Sequence, residues 1–494
     1  PCPTCVTGGN GAVHEYVYRS NPVILPGTPP VTGWVFSWGE CCRSNALTNM
    51  VGAGGLSMGI RAVMYPYVGF TPGQCRDNSP YFAERPNVII CTGYPFTYNH
   101  NAIDNELDSL VYSWDSPVTE PPISPLAYSA GYSVNSPLPG PLQNPSNVPA
   151  ALNPLNGEIT FTSFTQGYFV TVVKVTAYKC NTKAAEIFRE INVVLIGGCV
   201  LPCTNPQVQN VPPQVTIINR KTGQPISQNK DTVCVGDTLK LRVIASAPDC
   251  HPTMGVQSVT FSITGSELSN PANNPNGTCL IQPCAYTSAN LPLTALFGTQ
   301  MDFDWPVKCE HLGFDTLCTR ISSTFNFVIK VKDNYCPAPG QTTNTLSITV
   351  VRCREIGEPE PRCASVESSD GRVLLHWKPE SPRDTFGLFH KYEIAGSLNP
   401  IGPYVIIDSA VGNYYTTQKL ITSANLVSFF GFHAQDTSIY FKIRSYSGCK
   451  WDSVSEYSRW IRTMKLHADT GQMNAAILTW NSVHVPLLPT SNPW

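Results

Sequence analysis

Short strand-forming runs broken by turn residues set the tightest limit on what this chain can fold into. Such runs occupy 15–19, 33–38, 60–65, 88–91, 110–114, 158–162 and 168–178, then 238–245, 256–263, 325–332, 345–351, 373–377, 391–395 and 439–446. Turn residues separate them roughly every 8–15 positions, the spacing of sandwiches or barrels rather than of βα units. Helical periodicity is nearly absent. Residues 188–194 permit a turn or two of helix, but strand-like runs flank them. Composition agrees. Pro at 44 and Gly at 36 of 494 positions punctuate the chain, and only 13% of residues are charged, too few for many charge-faced helices. The expected fold class is all-β, with tandem β-sandwich modules in an elongated array. Length implies roughly three to five domains.

Nineteen cysteines with no metal-ligand spacing point to disulfides and an oxidising compartment. The odd count leaves at least one thiol free, capped or bonded outside the chain. No run of 18 apolar residues offers a membrane-spanning helix. A net charge of −2 gives no electrostatic reason to expect nucleic acid or an anionic membrane as partner. The chain opens at Pro1 without a signal peptide, so a processed N-terminus or a fragment is expected.

Two stretches repeat one order of elements. Ile90-Cys91-Thr92-Gly93 aligns with Val233-Cys234-Val235-Gly236, and 110–114 aligns with 259–263. Val173-Lys174-Val175 followed by Cys180 aligns with Ile329-Lys330-Val331 followed by Cys336. This predicts sandwiches over 86–200 and 201–353. Ahead of them lies a Trp/Tyr-rich β module over 1–85. Its Trp34, Phe36 and Trp38 fall on one face, read as core, with sugar stacking as the rival. Adjacent Cys41 and Cys42 are expected to bond to separate partners. Residues 354–362, containing Glu-Pro-Glu-Pro, read as a linker. The stretch 360–466, with a strand ending in Trp377 and another ending in Tyr446, resembles a fibronectin type III sandwich. Ala475 to Trp480 repeats the 373–377 pattern, so 467–494 reads as the start of a further such module.

Sandwich connectivity, in which successive strands reverse, predicts bonds Cys234–Cys353 and Cys250–Cys336, Cys91 to Cys199 or Cys203, and Cys363–Cys449. Cys279–Cys284 and Cys309–Cys318 are expected as local clasps.

Cys75-Arg-Asp-Asn-Ser-Pro80, Ile89-Ile90-Cys91, Tyr98-Asn-His-Asn-Ala-Ile-Asp104 and Asp108-Ser-Leu-Val-Tyr112 resemble a repeated segment of very large secreted Bacteroidota proteins. Asn156-Gly157-Glu158-Ile159-Thr160-Phe161 and Gly167-Tyr168-Phe169-Val170 fit the same pattern. Those proteins string together immunoglobulin-like, cadherin-like and fibronectin-like modules and commonly end in a gliding-motility-associated sorting domain. The resemblance implies immunoglobulin/cadherin-like modules followed by fibronectin type III-like ones. It also implies secretion to the cell surface by type IX machinery, through a C-terminal domain that this chain does not contain. In related modules the loop at 104–108 often reads Asp-x-Asp-Gly-Asp, which suits calcium. Asp104, Glu106 and Asp108 are therefore candidate Ca²⁺ ligands, although this copy lacks the Gly and carries one Glu; a solvated acidic loop is the alternative. Asp333 and Asn334 form a fainter candidate. Such proteins also carry O-glycans on Asp-Ser or Asp-Thr followed by a small or aliphatic residue. The matching sites are Ser109, Thr232, Thr316, Ser409 and Ser453, against the alternative that these triplets only cap turns.

Catalytic signatures are weak. Gly55-Leu56-Ser57-Met58-Gly59 matches a nucleophile elbow, but a strand rather than a helix is predicted after it. Cys2-Pro3-Thr4-Cys5 has redox or zinc spacing, but a Gly-rich run follows and no second ligand pair is near. The nine His residues are scattered. The expectation is a non-enzymatic structural or adhesive protein with no resident cofactor beyond calcium. Its partners are expected to be other surface proteins, neighbouring copies or surface glycans. The rivals are accessory spacer modules of a secreted enzyme, and a carbohydrate-binding module.

Overall fold

A computed structural model describes residues 16–66, 77–85, 89–201, 208–247, 249–250, 255–313, 322–335, 338–352, 356–367, 370–379, 389–412, 414–448, 453–470 and 475–481. Its described elements are almost all strands, and the chain divides into two compact units, 1–351 and 352–494.

The first unit holds two sandwiches built around one repeated arrangement. A hairpin of Gly167–Lys179 and Thr182–Ile196 anchors the first, turning through Cys180 and Asn181, both with positive φ, as a tight two-residue β-turn requires. Ser109–Asp115 pairs antiparallel with Gly167–Lys179, and Ile89–Cys91 lies parallel to the end of Thr182–Ile196. The second sandwich repeats this order. Ser322–Asp333 and Gln341–Val351 form its hairpin, Ser258–Thr264 pairs with the former, and Lys230–Cys234 runs parallel to the latter. The short parallel strand is the one carrying Cys91 or Cys234, so the repeat seen in the sequence coincides with one shared strand order. Residues 188–194, where a turn of helix was allowed, continue the hairpin strand because each pairs with Gly167–Lys179.

Alternation builds both cores. In Ser258–Thr264 the burial alternates residue by residue, sending Val259, Phe261 and Ile263 inward. They join Phe303, Trp305, Phe325 and Phe327, whose rings meet edge to face at 4.9–5.5 Å. In the first sandwich Phe96, Tyr98, Ile159 and Phe161, from the sheet of Pro95–Asn99, Glu158–Thr162 and Val148–Leu152, pack on Phe169, Val173, Val175 and Leu195.

The described part of 1–85 does not form a module of its own. Trp34–Glu40 pairs with Met58–Met64, and Met64, Val63 and Ala62 pair with Ala185, Glu186 and Ile187, extending the first sandwich's sheet. The Thr182–Ile196 edge otherwise leaves backbone groups open there, and Arg43 adds a buried ion pair to Glu190 at 2.6 Å. Trp34–Glu40 is consequently an edge strand of that sheet. Phe36 is 46% exposed and Trp34 and Trp38 are half-buried, so the aromatic stripe expected as core is not enclosed, and Trp38 stacks on Tyr18 at 5.0 Å. Cys41 and Cys42 bond to each other rather than to separate partners, across a cis peptide that brings their Cα atoms to 3.1 Å.

The second unit pairs Glu360–Glu367, Arg372–Lys378 and Gln418–Ile421 in one sheet. The other contains Val405–Val411, Phe389–Ser397, Tyr440–Ser447, Ser453–Val454 and Ile461–Arg462. Trp377, Tyr392, Ile394, Phe441 and Ile443 fill the space between. The supposed linker is partly built in: Ile356 is buried, and the hydroxyl of Ser445 donates to the carbonyls of Ile356 and Gly357. The helix Ser423–Phe430 starts at Thr422, whose hydroxyl accepts from the N–H of Asn425, and ends at Gly431 with φ 73°. A separate hairpin of Leu466–Thr470 and Ala476–Trp480 is exposed on both strands.

Candidate functional site

Within the first unit the two sandwiches meet through buried polar groups. The amide of Asn99 donates to Thr345 Oγ1 at 2.9 Å and that of Asn101 to Thr264 Oγ1 at 3.1 Å. Thr264 donates onward to Glu84 at 3.0 Å, and Glu84 pairs with Lys330. Beside this seam opens a cleft of about 1030 Å³ with mixed walls, among them Asp104, Asp108, Ser109, Tyr178, Thr232 and Asn326. Asn99, His100 and Asn101 reach the seam because Asn101 adopts φ 48°, its N–H held by Asn99 Oδ1 at 2.7 Å. His100 is fully buried between Tyr98 and Phe82, with neither ring nitrogen hydrogen-bonded. Burial, aided by the charge of Arg189, lowers its pKa to about 3, so it is a neutral packing group. Sequence reasoning gave His100 no role; a His between two Asn inside a strand-rich run was its only sign.

The acidic loop closes on itself. Asp104 Oδ1 accepts the N–H groups of Glu106 at 3.0 Å and Asp108 at 2.9 Å, while Leu107 takes φ 60°. Burial, partly offset by those N–H groups, raises the Asp104 carboxyl to about 6. Glu106 turns away and accepts from the backbone N–H of Asn78 at 3.2 Å and from its side-chain amide. The space beside Asp108 holds an ammonium: Lys179 Nζ lies 3.0 Å from Asp77 and 4.0 Å from Asp108. The three expected calcium ligands thus diverge: Glu106 turns to Asn78, and Asp108 faces an ammonium already supplied by the chain. They do not fit Ca²⁺, which needs six to eight converging oxygens. Among the described residues no three His, Cys, Asp or Glu side chains gather in a metal-holding arrangement. Asp333 is likewise engaged, accepting from Tyr335 and Gly340 backbone N–H groups and from Asn210. Asn334 accepts from the N–H of Ser258.

Of the two partners expected for Cys91, Cys199 bonds it, with Cα atoms 6.1 Å apart. Cys279 bonds Cys284. Cys234, Cys250 and Cys309 are each in disulfides, and their expected partners Cys353, Cys336 and Cys318 lie outside the described residues. Cys363 differs from expectation: it is a free, exposed thiol on Glu360–Glu367, 3.1 Å from Ser365 Oγ. A bulge after Pro361 turns its side chain to the solvent face of that strand, and Cys449 lies outside the described residues.

Among the glycosylation candidates, Ser109 and Thr232 are exposed and both line the cleft, and Ser409 is half-buried. Asp231 and Asp408 accept the N–H of the next residue, Thr232 and Ser409, at 2.8 and 2.7 Å, both within strands rather than at turns. Thr316 lies outside the described residues, and Ser453 starts a short strand. Ser57, centre of the elbow-like motif, accepts from the N–H of Glu120, and a strand, Met58–Met64, follows it.

No family model matches the chain, and no curated protein matches it. Among solved structures it is similar to domains A168–A170 of titin, at 12% identity over 78% of this chain and 97% of that one, with a TM-score of 0.18. It is also similar to the FN1–FN3 domains of chicken CNTN1, at 10% identity over 72% and 93% of the two chains, with a TM-score of 0.17. Likenesses this distant carry no argument about function. The all-β sandwich fold of this chain rests on its own strand pairing.

Proposed function

We propose that this chain is a non-enzymatic structural or adhesive part of an extracellular or cell-surface protein. One observation carries the reading: Cys91–Cys199 closes a 108-residue span around the first sandwich. That bond ties the strand opening the module to the segment leaving it. Such a crosslink persists in an oxidising compartment and stops the module from being pulled open between those points. The resemblance to modular Bacteroidota surface proteins supports type IX export and partners among neighbouring copies or surface glycans. Immunolabelling of intact source cells, with attachment assays on a deletion strain, tests the proposal. Surface labelling and lost attachment are expected; a purely intracellular protein refutes it.

A second reading has an observation of its own. Trp34, Phe36 and Trp38 share one face of an edge strand, Phe36 is 46% exposed there, and aromatic faces bind sugar rings. Glycan-array binding that Trp38→Ala removes, while the fold survives, favours a carbohydrate-binding role. Array silence ends that reading.

A further inference from the structure

Lys179, at the end of Gly167–Lys179, is a buried ammonium among carboxylates. Its side chain is 5% exposed and that of Asp77 is 4% exposed, with Nζ and Oδ1 3.0 Å apart. On the other side stands Asp108, its side chain fully buried, with Oδ2 4.0 Å from Nζ. Asp104 completes the group: it is 5% exposed, and its Oδ2 has no hydrogen-bond partner. Asp104, Asp108 and Tyr178 also line the cleft, which gives the cluster a route to solvent.

We propose that Lys179 and Asp77 condense to an intramolecular amide, with Asp108 carrying the proton. The buried contact holds amine and carboxyl carbon near attack distance, replacing a bimolecular encounter with an oriented one. Lys179 passes one proton to the Asp108 carboxylate, and the neutral amine attacks Cγ of Asp77. The C–O bond breaks as the departing oxygen takes that proton from Asp108 and a second from the attached nitrogen. The ammonium loses two hydrogens and the carboxylate one oxygen, and these leave as water through the cleft. The opposite charges cancel and no oxidant or co-reactant is needed. Burial that holds the Asp104 carboxyl near 6 marks the surroundings as poor in water, which favours a neutral amide over two buried ions. The bond joins two chain segments: the stretch entering Tyr81–Phe82, which pairs with Ala102–Ile103, and the longest hairpin of the sandwich. Peeling of that stretch from the sandwich would then require breaking a covalent link.

Mass spectrometry of the full chain after complete reduction tests this. The expected mass is about 18 Da, one water, below that of the sequence. Tandem spectra should place a crosslink between Asp77 and Lys179, and Lys179→Arg should restore the full mass. Asp108→Asn should leave the sandwich folded by circular dichroism while the crosslinked fraction falls at least several-fold. A reduced wild-type mass equal to the sequence, with Asp77 and Lys179 in separate linear peptides, overturns the proposal. So does a water loss mapped to the other buried pair, Lys330 and Glu84. The wild-type measurement does not depend on any variant folding.

Discussion

Trp377 offers the sharpest test of how the second unit is held together. Its indole is 2% exposed, sits edge-on to Tyr392 at 5.1 Å, and packs within a core shared by both sheets. Truncation to Ala removes the largest side chain of that core and leaves a cavity that rigid strands cannot fill, costing about 3–5 kcal/mol. A domain of this size has roughly 5–15 kcal/mol in total, and each kcal/mol moves the melting midpoint by about 3–5 °C. Trp377→Ala should therefore lower the midpoint by on the order of 10–25 °C. Trp377→Phe separates packing from polarity. The indole Nε1 has no hydrogen-bond partner, so removing it relieves a buried donor while most ring contacts remain, and the cost should stay below about 2 kcal/mol. Thermal and urea unfolding of residues 352–481, which keep Ile356 and its bonds to Ser445, measure the midpoint shift and the free-energy cost of both variants. An unchanged midpoint for the Ala variant refutes the packing argument. Equal losses for Ala and Phe refute the account of the indole N–H.

Removing the Cys91–Cys199 bond by double Ser substitution should cost more than removing Cys279–Cys284, about 4–5 against about 2 kcal/mol, because the spans are 108 and 5 residues. Denaturation of the two variants under matched conditions compares them, and equal costs sink the loop-length argument. Glu267 is buried beside His311, and burial raises its folded pKa to about 7 from 4.5. Between those values the folded state binds more protons than the unfolded, so its contribution to stability falls as pH rises from 4.5 to 7. Glu267→Gln should flatten that slope in urea midpoints measured across the window, and an unaltered slope contradicts the assignment. At least two of Ser109, Thr232, Thr316, Ser409 and Ser453 should carry glycans in material from the native host, and an intact mass equal to the bare chain excludes this.

Local pattern alone determined the all-β class. Period-two alternation states which face of 258–264 or 373–377 must leave water, and no distant residue alters that. The same holds for the repeated Cys-bearing strands and for the five-residue clasp at Cys279, where partners are close in sequence. Pairing between distant edges was decided only in three dimensions. Nothing between 58 and 64 announces that its partner is 185–187, some 120 residues away, so a separate module was the natural reading and Trp34, Phe36 and Trp38 looked like core. The loop at 104–108 read as a cation site because its carboxylates are adjacent in sequence. Its chemistry was set by Lys179, which the hairpin carries in from another strand. Alternation records burial one residue at a time, whereas the charge environment of a buried carboxylate depends on which strand end arrives beside it, and that is a property of the packed sheets.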